Sequence, residues 1–152
     1  MLLKRILYVT ILATGLVRST DAGAGDYTVS YAFDGTTRQD AAAGATSSLN
    51  EQGTRKECQY DRPCTIELTK SDLAISFSVE RSGRHKVVIH ADGGRSRSIG
   101  CCYFSDGERR AARELTQPLL RLHIYEGHAR KRNEYIENIP LGLLYLQFSD
   151  LK

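Results

Sequence analysis

Leu73-Ala74-Ile75-Ser76-Phe77-Ser78-Val79-Glu80 alternates large apolar with small or polar side chains without a break. Successive side chains of a strand point to opposite faces. Leu73, Ile75, Phe77 and Val79 therefore make a core face, and Ala74, Ser76, Ser78 and Glu80 a wetter one. The period is two, not 3.6, and it recurs. Tyr27, Val29, Tyr31 and Phe33 alternate with Thr28, Ser30 and Ala32. Weaker runs of the same kind are Cys64–Leu68, His85–Ala91, Ser98–Phe104, Leu119–Tyr125 and Leu143–Phe148, giving about seven strands.

Turn chemistry separates these runs. Arg81-Ser82-Gly83-Arg84 is short enough for a hairpin, and Asp92-Gly93-Gly94 reads as the next turn. Leu73 to Phe104 then reads as a three-strand antiparallel meander. Several short strands joined by tight turns predict a mainly β fold, a single antiparallel sandwich or barrel. Two segments break the pattern. Residues 35–53 are rich in Ala, Thr, Ser and Gly, with Leu49 the only large apolar residue, and read as a long flexible loop. Residues 107–117 hold good helix formers between Asp106, a cap, and Pro118, a stop, and read as one short helix.

The N-terminus reads as an address. Lys4 and Arg5 precede an apolar run from Ile6 to Val17, and Ala22-Gly23-Ala24 supplies small residues for cleavage. That is the layout of a secretory signal peptide, residues 1–24, cut after Ala24. Twelve residues, interrupted by Thr10, Thr14 and Gly15, are too few to cross a bilayer, which needs roughly 20, and no later stretch is long and apolar enough. The expected mature chain is one β-rich domain, residues 25–152, periplasmic or secreted. Residues 1–24 hold Lys4, Arg5, Arg18 and Asp21, so cleavage removes +2 of the net charge of +3 and leaves +1. A near-neutral mature chain is no nucleic-acid binder by charge.

The remaining charge is unevenly placed. Residues 25–80 carry five basic and nine acidic side chains, while residues 81–132 carry twelve basic and five acidic. Arg dominates the second block, and Arg forms bidentate bonds to carboxylates and phosphates. Arg109, Arg110 and Arg113, with Arg130, Lys131 and Arg132, are the candidate anion-binding residues. The last three lie in a basic run between Tyr125 and Tyr135. Their bland alternative is a solvated surface.

Cys58, Cys64, Cys101 and Cys102 in an exported chain are disulfide candidates. Cys58–Cys64 would close a short turn-like loop and leave a vicinal pair, and crossed bridges would tie the early strands to the meander. Neither zinc-knuckle nor Cys-x-x-Cys redox spacing is present. His90 and His123 fall on the polar faces of their runs and would meet if those strands were neighbours, with Asp92 nearby. Nothing in the spacing demands a metal there. No Gly-x-Ser-x-Gly elbow occurs. The sequence thus names no catalytic residue, metal site or cofactor.

One local pattern resembles a known family. Leu122-His-Ile-Tyr-Glu-Gly, then Asn133, then Leu141-Gly142 with Leu144 and Leu146, resembles part of the peptide-binding β-sandwich of DnaK-type chaperones. The resemblance implies two successive strands with a polar loop between them, and no activity. The functional expectation is an exported, non-enzymatic binding or interaction protein whose partner is an anionic envelope component or a protein. The alternatives are an envelope hydrolase whose residues converge only in three dimensions and a protein inhibitor displaying the Cys58–Cys64 loop.

Overall fold

The computed structural model describes residues 26–44, 47–81, 84–94, 101–126 and 139–152. The expected leader 1–24 with its cleavage point at Ala24, the turn residues Ser82 and Gly83, and the triplet Arg130, Lys131 and Arg132 lie outside the described residues. Among the described residues, nine strands and one helix follow in order. They are β1 (Asp26–Gly35), α1 (Arg38–Ala42), β2 (Leu49–Gln59), β3 (Cys64–Leu68), β4 (Leu73–Val79), β5 (Lys86–Gly93), β6 (Tyr103–Phe104), β7 (Arg110–Glu114), β8 (Leu119–Glu126) and β9 (Ile139–Ser149).

The strands form two antiparallel sheets, one in the order β2-β1-β9-β8-β6 and one in the order β3-β4-β5-β7. Neither closes into a barrel, and a single buried cluster joins their inner faces, as in a β-sandwich. Strand parity builds that core. In β4 the four residues Leu73, Ile75, Phe77 and Val79 are buried and the residues between them are half-buried. Phe77 meets Phe148 of the facing sheet edge-on, with ring centroids 5.8 Å apart. The β4–β5 pairing expected from the Arg81–Arg84 turn is present, with Phe77 opposite Ile89 and Val79 opposite Val87. No helix among the described residues is long and apolar enough to cross a membrane.

Residues 107–117 are not a helix. Arg110–Glu114 is β7, and it pairs with the open side of β5. Helix propensity differs by under ~1 kcal/mol per residue among these types, so an unfilled sheet edge overrides it. Ala111 gains complete burial there. Asp106 turns the chain instead of capping a helix, accepting from the Glu108 N–H at 3.1 Å. The meander also stops short. Tyr103–Phe104 pairs with β8 in the other sheet, so the chain crosses between sheets after β5. Asp92 and Gly93 belong to β5 rather than to a turn.

The expected flexible loop 35–53 is largely structured. It holds α1, capped by the Thr37 hydroxyl, and the first half of β2. Apolar burial is small there, and polar ties do the ordering instead. Arg38 grips Glu126 through two bonds, Nε to Oε2 at 3.0 Å and Nη2 to Oε1 at 2.6 Å. The Glu51 carboxylate accepts from the Lys70 N–H at 3.1 Å, the Ser71 N–H at 2.8 Å and the Ser71 hydroxyl. That satisfies Ser71, a fully buried polar side chain in the turn of the opposite sheet. Asp40 accepts from Ser47 and Thr37, and these bonds hold its carboxyl below the usual range.

At the other end of the sandwich Tyr27 packs on Tyr60, with ring centroids 5.3 Å apart. The Tyr27 hydroxyl is buried without a hydrogen-bond partner. Burial pushes this phenol from 10.0 up to about 12; the nearby Val79 backbone tempers the shift without reaching bonding geometry. An unfolded tyrosine ionises first, so the stability is fully present below about pH 10 and is lost as pH rises toward 12. The whole effect is at most about 2–3 kcal/mol. Tyr27→Phe should flatten that alkaline fall, measured as the difference in urea midpoint between neutrality and about pH 11. Equal falls in both proteins would refute the assignment.

Candidate anion-binding face

The outward side of the four-stranded sheet is set by the same parity as the core. Thr65, Ser76, His90 and Arg110 stand in one row across it, since Thr65 opposes Ser76, Ser76 opposes His90 and His90 opposes Arg110. The next row holds Ser78, Val88 and Ala112. A shallow depression of about 350 Å³ lies over these rows, lined by Pro63, Ser76, Phe77, Ser78, Val88, His90 and Arg110. Val88 points outward yet is only 5 % exposed, so the centre of the face is a shielded apolar spot. Polar groups surround it. Thr65 and Ser76 share a hydroxyl–hydroxyl bond of 3.0 Å.

The outward face carries acids at Glu67, Asp92 and Glu114, but its depression is lined by Arg110 without one. Directly opposite residues of an antiparallel pair sit about 5 Å apart at Cβ. His90 and Arg110 are such a pair, and no acid lines the depression. Asp92, two residues along β5, shares the outward face. Among the described residues, His90 and Arg110 take part in no ion pair. The neighbouring arginines differ. Arg113 meets Asp106 at 3.5 Å and donates to the Ala112 carbonyl. Arg84 meets Glu114 at 3.4 Å. Arg121 lies on the outer face of the other sheet, over the Tyr145 ring at 5.6 Å.

A second depression, of about 270 Å³, adjoins the first at Pro63. It lies where the edge strands β2 and β3 of the two sheets approach each other, lined by Arg55, Glu57, Cys58, Gln59, Arg62, Pro63, Cys64 and Thr65. The Cys58–Cys64 disulfide joins the two edges at its base. The pairing is therefore local. The crossed alternative does not occur at Cys58 and Cys64, and Cys101 and Cys102, adjacent in the chain, are both buried. Cys64 lies with Ile66 and Leu68 on the buried face, as parity requires.

Of the six anion-binding candidates, the structure brings Arg110 onto this face. It places Arg109 on the exposed turn before β7 and neutralises Arg113 with Asp106. Sequence reasoning missed Ser76, Ser78, Val88, His90, Arg55 and Arg62 as site residues. The outward parity of Ser76, Ser78 and His90 was readable, but their register with Arg110 was not. His90 and His123 do not meet, because they stand on the outer faces of different sheets. Among the described residues no three His, Cys, Asp or Glu side chains converge as a metal-binding group. Ser76 faces His90 but bonds to Thr65, so the relay of nucleophile, base and orienting acid is not assembled there. The arrangement is suited to holding an anion. Comparison of the chain with protein-family models, with curated proteins and with solved structures finds no match.

Proposed function

We propose that the chain is an exported, non-enzymatic binding protein, periplasmic or secreted, that takes an anionic partner on the outer face of the four-stranded sheet. Export rests on the leader-like pattern of residues 1–24 and cleavage after Ala24. The observation that carries the binding reading is Arg110, without an ion pair among the described residues, beside His90 and a row of hydroxyls. An anion there pairs with the Arg110 guanidinium and accepts hydrogen bonds from it and from the serines. An acidic envelope glycan, a lipid-linked phosphate or an acidic protein segment would each supply that group.

Retention of the purified protein on an immobilised polyanion should fall steeply with added salt, since exposed charges are screened within about 10 Å at 0.1 M. Arg110→Ala should weaken binding about tenfold, roughly 1.4 kcal/mol. Arg121→Ala, on the opposite face, should leave it unchanged. Negligible retention at low salt, or equal losses in the two variants, would refute the reading.

A second reading, inhibition of an envelope enzyme by a rigid displayed loop, is favoured by one feature. The loop closed by Cys58–Cys64 is also pinned at Asp61, whose N–H donates to the Val79 carbonyl at 2.9 Å and whose carboxylate accepts from the Arg81 N–H at 3.3 Å. Binding that survives reduction of the disulfide would count against it.

A further inference from the structure

Arg110 on the sheet face has a counterpart at the far side of the same surface. Arg55 and Arg62 line the second depression, and Pro63 lines both, so the groove is two shallow depressions that adjoin at that residue. Neither arginine has an ion pair among the described residues. Glu57 is the one acid in the lining of either depression. Between the two cation sets lie hydroxyls, those of Thr65, Ser76 and Ser78.

The dimensions restrict the occupant. From Arg110 on β7 to Thr65 on β3 the row crosses four adjacent strands. Three strand spacings of about 4.8 Å make roughly 14 Å, and Arg55 and Arg62 lie beyond Thr65. A single phosphate or carboxylate can meet one end only. An occupant that neutralises both ends must be elongated and must carry anions at intervals.

Resting on the anion-binding reading of this face, we infer that the ligand is an anionic polysaccharide segment, its carboxylate or sulfate groups at Arg110 and His90 and again at Arg55 and Arg62. Hydroxyls along the floor suit a chain that itself carries hydroxyls. An acidic peptide binds through buried aromatic or aliphatic anchors in pockets. This floor offers Val88 and Phe77, both nearly covered by their neighbours, and the ring of Pro63. The groove's base is held by the Cys58–Cys64 bridge, so the second cation set is fixed relative to the sheet.

Calorimetric titration with size-graded heparin oligosaccharides, inorganic sulfate and poly-glutamate tests this. Affinity should rise at least about tenfold from disaccharide to hexasaccharide and then level off. The Arg55→Ala/Arg62→Ala double variant should lose that length dependence while still binding the disaccharide, and Arg110→Ala should weaken both. If Arg110→Ala weakens binding but the double variant and the chain length have no effect, the groove is single-ended: the inference fails and the anion-binding reading stands. Tighter binding of poly-glutamate than of heparin fragments of equal charge overturns the polysaccharide class. No binding of any polyanion by the wild type overturns both readings.

Discussion

Phe33→Ala should lower the unfolding free energy by about 3–5 kcal/mol, the range for truncating a buried aromatic. Phe33 is completely buried on β1, next to the middle of the five-stranded sheet. Its ring lies over a cross-strand glycine pair, Gly35 opposite Gly142. A Cβ on Gly35 would meet Phe33 Cζ at 2.6 Å, and one on Gly142 would meet it at 2.7 Å. The glycines leave the space that the ring fills, as when an aromatic side chain covers strand glycines. They have no side chains with which to refill it. Collapse of the void is therefore limited, and a void that cannot collapse is the costly kind. Gly142 cannot compensate by growing. A Cβ there would also press on the Asp34 carbonyl at 2.5 Å, and its φ of +156° disfavours an L side chain. Phe33→Leu should recover part of the loss. Urea unfolding monitored by far-UV circular dichroism measures both. A cost under about 1 kcal/mol would mean that the ring is not packed against the glycine pair.

Phe33 also shows why part of the fold was legible. β1 and β4 carry apolar side chains on one parity alone, so any reading of the period finds them. β2 offers no such signal. Its inward parity carries Glu51, Gly53 and Arg55, and most of the strand is exposed. It is a strand because β1 presents an open backbone edge, with Phe33 opposite Glu51 and Tyr31 opposite Gly53. β7 was hidden for a related reason. Only Ala111 of its five residues is buried, and Arg-Ala-Ala-Arg-Glu is locally a better helix than strand. Both are strands selected by a partner rather than by their own residues. For α1, by contrast, a local cue existed, Thr37 three residues before Asp40 with a side-chain bond between them.

The site divides along the same line. Arg110 was identifiable as one cation of a basic block, and strand parity put His90, Ser76 and Ser78 on wet faces. Periodicity gives the face of a residue within its own strand, but register between strands comes from turns and packing. The expected β5 neighbour was the strand ending at Phe104, and the observed one is β7. That exchange sets Arg110 opposite His90. Arg55 and Arg62 were not readable as neighbours of this face, because they reach its β3 edge only when the two sheet edges close at Cys58–Cys64.

The Cys58→Ala/Cys64→Ala double variant should be destabilised by about 3 kcal/mol. The bridge spans a sequence separation of 6, and a loop that short restricts the unfolded chain by about 2–3 kcal/mol on the loop-closure model. Both residues are buried, so replacing their sulfurs with hydrogen adds a packing loss. The bridge also joins β2 at the edge of one sheet to β3 at the edge of the other, where no strand pairing links the sheets. Local loosening should therefore concentrate there, with faster amide exchange at residues 59–62 and at β3 than in β4 or β5. Cys101→Ala/Cys102→Ala should behave differently. Adjacent residues enclose no intervening chain, so almost no loop entropy is at stake, and the cost should be the packing of two buried side chains, about 1–2 kcal/mol. Urea unfolding of the two double variants, with a non-reducing tryptic mass map of the wild type, reads both effects. A tryptic peptide linking residue 58 or 64 to residue 101 or 102 would refute the local pairing. Equal destabilisation of the two variants would refute the loop-closure explanation. If the groove binds as inferred, loss of the Cys58–Cys64 bridge should also weaken long anionic chains more than short ones, because it frees Arg55 and Arg62 while leaving His90 and Arg110 in place.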